Sequence, residues 1–107
     1  MLPTLKFKNF VFHDGLNITV RNGLKWNMKN PSKFGIAEST DKVEIKMPIV
    51  FIGSFSVKFK DIPKDILKYE HDPDCQTYDG LLNVMKKVYP GFKDNNIVTI
   101  ALFSKRE

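Results

Sequence analysis

Asn96-Ile97-Val98-Thr99-Ile100-Ala101-Leu102-Phe103-Ser104 is the stretch on which the fold turns. Read with the two-residue period of a strand, it sets Ile97, Ala101 and Phe103 on one face and Val98, Ile100 and Leu102 on the other. A strand apolar on both faces belongs in the middle of a sheet or in a closed barrel. The longest β run, Ile49 to Lys60, is a natural neighbour. Its second half alternates, with Phe55, Val57 and Phe59 inward, and Gly53 suggests a bulge or a bend. Lys42 to Met47 reads as a shorter strand with Val43 and Ile45 inward, broken by Pro48.

The stretch from Lys29 to Lys42 reads as loop, because Asn30-Pro31-Ser32 and Glu38-Ser39-Thr40-Asp41 flank only a short apolar island, Phe34-Gly35-Ile36-Ala37. Asn17-Ile18-Thr19-Val20-Arg21 alternates, with Ile18 and Val20 on one side and Thr19 and Arg21 on the other. It lies between a His13-Asp14-Gly15 turn and an Asn22-Gly23 step suited to a tight hairpin. Before it, Leu5 to Phe12 fits either a strand or a short helix. Asp61-Ile62-Pro63 predicts a short helix to about Tyr69, and Glu70 to Gln76 reads as loop. Thr77 can cap a second helix, whose Leu81, Leu82, Met85, Val88 and Tyr89 recur at helical spacing until Pro90-Gly91. Five or six strands with two or three clustered helices predict one α+β domain over residues 1–107, with a small, partly closed β-barrel burying both faces of the last strand.

Composition narrows the functional classes. The 107 residues are 42% hydrophobic with nine Phe, which is globular, and carry a net charge of +5. That balance favours polyanions. The lysines are scattered instead of blocked, as on any soluble surface, and only Arg21 and Arg106 are arginines. Cys75 is the lone cysteine and cannot close an intramolecular disulfide. Neither a signal-peptide core nor a stretch near the roughly 20 apolar residues of a membrane helix is present, so the expected location is the cytoplasm.

Two segments resemble the ASCH family, a branch of the PUA-like β-barrels usually linked to RNA. Asn17-Ile18-Thr19-Val20-Arg21 is similar to the end of the family's G-x-K-x-x-T-x-R signature. Tyr78 to Gly91 followed by Asn96 to Phe103 is similar to its closing helix, Tyr-Pro step and hydrophobic last strand. The resemblance implies a PUA-like barrel with a cleft between strands and helices that receives RNA or a modified nucleoside, faced by Thr19 and Arg21. Arg suits phosphate or a base edge, and Thr an exocyclic group. Some small bacterial members hydrolyse acylated cytidine with the motif's Lys and Thr and a downstream Glu. Here Leu16 stands in the Lys position, Asp74 lies near the Glu position, and Lys25 reaches a Gly-x-Lys only in a shifted register. Leucine cannot serve as base or charge partner for a Thr nucleophile. Binding is therefore expected over catalysis. The alternatives are an amidohydrolase using Thr19, Asp74 and Lys25, and a protein-interaction scaffold, since fold does not fix function.

Other side chains carry weaker signals. Lys25-Trp26 could stack on a base and neutralise a phosphate, although a single Trp in a small domain is usually core. Lys58 and Lys60 lie outward on a strand, as a phosphate-tracking stripe or a solvated edge would. His71, Asp72, Asp74 and Cys75 can all ligate metal, but they crowd one loop without a second ligand pair, so a solvated loop is expected, with no metal and no cofactor. Cys75 and His71 are sequence neighbours, unlike most catalytic pairs, and a structural or exposed thiol is expected. Tyr89 packs the last helical turn, and Lys86 and Lys87 suit the helix C-terminus.

Overall fold

The computed structural model describes residues 2–26, 33–41 and 45–106, and the strand that is apolar on both sides lies in the interior of its sheet, not at an edge. The strands are β1 (Thr4–Phe7), β2 (Asn17–Asn22), β3 (Phe34–Ser39), β4 (Lys46–Lys58) and β5 (Ile97–Lys105). They form one sheet in the order β1-β3-β4-β5-β2, parallel only between β1 and β3. With α1 (Tyr78–Val88), the one α-helix among the described residues, the architecture is α+β.

β5 is buried on both faces, as its sequence requires. On one side Val98 and Ile100 join Ile18, Val20, Phe59, Leu67, Leu81 and Met85 beneath α1. On the other, Phe103 joins Leu5, Phe7, Ala37, Ile49 and Phe51, with Phe10, Phe12, Trp26 and Met47 packed against them. β4 serves both cores by means of a bulge. Phe51 lies opposite Phe103 but Gly53 lies opposite Leu102, so Ile52 is the extra residue. Phe103 and Leu102 point to opposite faces. The bulge thus hands the buried side of β4 from Ile49 and Phe51 in one core to Phe55 and Val57 in the other.

Several local expectations are corrected. The apolar island of the presumed loop is strand β3, which Ile36 and Ala37 pin between β1 and β4. Pro48 does not break β4. It sits opposite Ile36 in a pair that exchanges no backbone hydrogen bonds, and its missing N–H falls beyond the last β4–β5 pair, Ile49 with Lys105. Ile45 is exposed instead of inward, and Val43 lies outside the described residues. Asn22-Gly23 does turn the chain, with Gly23 at φ 84°, but β2 pairs with β5 instead of forming a hairpin with its successor. The helix expected before Tyr69 is a pair of 3-10 turns, Phe59–Asp61 and Lys64–Tyr69, and a third spans Pro73–Cys75.

The barrel is not closed. β1 and β2 stay at opposite ends of the hydrogen-bonded order. Even so, the sheet curls: the Phe7 ring on β1 comes within 5.6 Å of the Phe103 ring on β5 and 4.8 Å of the Arg21 guanidinium on β2. The two edge strands face each other across a seam.

Candidate functional site

The seam between β1 and β2, flanked by α1, opens into a cleft of about 150 Å³. β1 and the residues after it contribute Lys6, Phe7 and Lys8. β2 contributes Thr19 and Arg21, the loop after Tyr69 contributes Glu70, His71 and Asp72, and α1 contributes Val84, Met85 and Val88, with Tyr89 just beyond it. α1 is held there by its start and its apolar stripe. The Thr77 side chain accepts a hydrogen bond from Gly80 N–H, and Leu81 and Met85 are buried.

β2 sets Thr19 and Arg21 on one face by its alternation, since Thr19 lies opposite Ala101 and Arg21 opposite Thr99. Arg21 Nε donates to Thr19 Oγ1 at 3.1 Å. The Arg21 guanidinium lies over the Phe7 ring, and among the described residues it forms no ion pair. Burial lowers its pKa from the ordinary value, offset in part by Tyr89 and Glu70. A half-buried, unpaired cation with spare donors is a receptor for an oxyanion or an electron-rich base edge.

Glu70 and His71 form the other wall, and the sequence reading did not single out Glu70. Both are buried, with Glu70 only 2% exposed. Glu70 is anchored by its backbone: Ile18 and Glu70 form an isolated parallel bridge, and His71 N–H donates to Ile18 C=O. The His13 ring holds the Glu70 carbonyl at 2.8 Å, and Asn17 ties His13 back through its own side chain. The His71 ring is wedged against Phe7 and Phe12. Its Nδ1 lies 3.0 Å from Val11 C=O, which can only accept, so Nδ1 carries the proton. The unprotonated Nε2 lies 3.3 Å from Glu70 Oε1, which accepts from Asp72 N–H at 3.2 Å.

Burial keeps a proton on the acid and off the imidazole. Desolvation pushes the Glu70 carboxyl up to about 8 and the His71 imidazole down to about 4. At neutral pH the pair is therefore a neutral acid beside a neutral imidazole, not a salt bridge. Cys75, behind them, is buried and pushed up to about 12, chiefly by desolvation, so it is an inert core thiol.

The remaining sequence candidates do not line this cleft. Trp26 stacks on Phe51 at 6.4 Å on the outside of the second core, with Lys25 5.9 Å from its ring. Lys58 ends β4, exposed. Lys60 joins Lys86 and Lys93 around a second depression on the other flank of α1. Asp74 sits exposed in the 3-10 turn before α1, its N–H bonded to Asp72 Oδ1. Thr19 therefore has neither Lys25 nor Asp74 beside it, and Leu16 is half-buried and apolar. Among the described residues no group of three or more His, Cys, Asp or Glu side chains could hold a metal ion, and no helix is long and apolar enough to cross a membrane. No family model matches this chain, and neither curated proteins nor solved structures yield a match to it.

Proposed function

We propose that this chain is an ASCH-like, PUA-type module that binds single-stranded RNA or a nucleoside in the cleft between the β1–β2 seam and α1. The observation that carries the reading is Arg21, a cation half-buried in a concave site without a carboxylate bonded to it, with the Thr19 hydroxyl at its side. A curled sheet that nearly returns on itself suits the small-barrel class in which such clefts receive a nucleobase. The net charge of +5 and the rim residues Lys6 and Lys8 supply attraction toward a phosphate backbone.

Hydrolysis of acylated cytidine has less support, because no lysine stands in the motif position and Glu70 is held uncharged beside Thr19. Fluorescence anisotropy with a short single-stranded RNA tests the binding reading. Affinity should fall steeply from low to moderate salt. Arg21→Ala should weaken binding by about tenfold or more, in line with roughly 1–3 kcal/mol for a charge-assisted contact, whereas Lys86→Ala should change it little. Binding that survives Arg21→Ala intact would remove the cleft from consideration.

A further inference from the structure

The Glu70–His71 pair is a buried titratable unit of the cleft that the reading above does not use for binding. We propose that the cleft is an oxyanion site gated by the proton of the buried Glu70 carboxyl, and that it takes the phosphate of a nucleotide through Arg21 in preference to an uncharged nucleoside. The proposal rests on the nucleoside reading and adds a ligand class and a control to it.

The geometry supplies the gate. His71 Nδ1 is committed to Val11 C=O and the ring is fixed by Phe7 and Phe12, so an uncharged Nε2 lies 3.3 Å from Glu70 Oε1. Among the described residues no Lys or Arg forms a salt bridge with Glu70, which is 2% exposed, so its buried carboxyl is held as a neutral acid. With that proton in place Arg21 is the sole charge on the inner wall, and the open cleft around it carries Lys6 and Lys8 on its rim against Asp72. Three cations facing one carboxylate suit a multiply charged phosphate. Remove the proton and a buried carboxylate stands in the same cleft. It attracts the Arg21 cation and repels an incoming anion, and at 2% exposure its charge is weakly screened.

The groups facing Glu70 are Arg21 from β2, His71 and Asp72 from its own loop, and Cys75 from the following turn. His13 reaches only its backbone carbonyl, and Tyr89 stands across the cleft beyond α1. His71 is already neutral above about 4 and Cys75 remains a thiol up to about 12. A phosphomonoester is itself fully ionised above pH ~7. Between pH 7 and 9.5 the Glu70 proton is thus the group in the pair whose loss is read.

Calorimetric titration of the whole chain with cytidine 5′-monophosphate, cytidine and inorganic phosphate, at pH 7 and pH 9.5, tests this. The monophosphate should bind at pH 7 at least about tenfold tighter than cytidine. It should lose at least about tenfold by pH 9.5, because only the protonated fraction is competent. Glu70→Gln keeps the shape and the acceptor for Asp72 N–H but cannot ionise, so its affinity for the monophosphate should be the same at both pH values. Equal binding of cytidine and its monophosphate overturns the oxyanion site and leaves the nucleoside reading standing. Inorganic phosphate bound with the expected pH loss, and no gain from an attached nucleoside, supports the oxyanion site and overturns the nucleoside reading. Monophosphate affinity in the unaltered protein that does not change up to pH 9.5 overturns the gate, and this holds even if the Gln variant fails to fold. No binding of any of the three overturns both.

Discussion

Asn17 shows how a single side chain can set a site from a distance. It is fully buried, accepts from His13 N–H at 2.8 Å, and donates to the carbonyls of His13 at 3.0 Å and Gly15 at 3.3 Å. It thereby folds the turn before β2 so that the His13 ring reaches Glu70 C=O. Asn17→Ala would strand the His13 N–H in a buried place. It should cost about 2 kcal/mol, read as a lower denaturant midpoint with an unchanged slope. At this scale the sequence was informative about Thr19 and Arg21, because strand alternation alone puts them on one side. It was silent about Glu70. A Glu next to a His in a polar loop looks solvated, and only tertiary burial turns the pair into a neutral acid and base.

Elements show where propensity and packing disagree. Gly80 lies in the first turn of α1, where Ala would ordinarily gain about 1 kcal/mol over Gly. A Cβ at that position would collide with the Asp74 carbonyl and press on the Thr77 hydroxyl that caps the helix. Gly80→Ala should therefore lower the melting temperature despite its better helix propensity. A rise would mean that the turn before α1 can move aside. Gly53 is the opposite case, since its Cβ would meet nothing within 4 Å and its bulge turns on register instead of space. β3 was unreadable from its own residues because its six positions include Gly35, Glu38 and Ser39 and no clean alternation. Its pairing comes from the strands on both sides, and Gly35 is small enough to let the Phe51 ring lie against it.

Over the whole molecule, the Glu70–His71 pair makes stability depend on pH in a particular way. The folded state keeps the Glu70 proton up to about 8, while the unfolded chain releases it near 4.5. Glu70 thus lowers stability as pH rises through that interval. His71 acts in the other direction, because the unfolded chain holds its proton to about 6.5 and the folded state only to about 4. Between 4.5 and 6.5 the two slopes cancel. From 6.5 to 8 the folded state binds one proton more, so stability should fall by about 1.4 kcal/mol per pH unit, roughly 2 kcal/mol in all. Urea titrations at half-unit steps would show this descent. Glu70→Gln should abolish it and leave a rise from pH 4 to 6.5. A flat profile for the unaltered chain between 6.5 and 8 would refute the assignment of the proton to Glu70.

The sequence by itself determined the α+β class, the interior place of β5, the bulge next to Gly53, the capped helix α1 and the shared face of Thr19 and Arg21. Each of these is written in a local period or a local steric rule that the chain obeys wherever it folds. Only the tertiary structure decided that β2 pairs with β5, that the sheet curls without closing, and that Trp26 and Lys25 stand away from the cleft. It also decided that Glu70 and His71 meet there out of reach of water. Those outcomes depend on which distant surfaces bury one another, and burial, unlike period, has no signature in neighbouring residues.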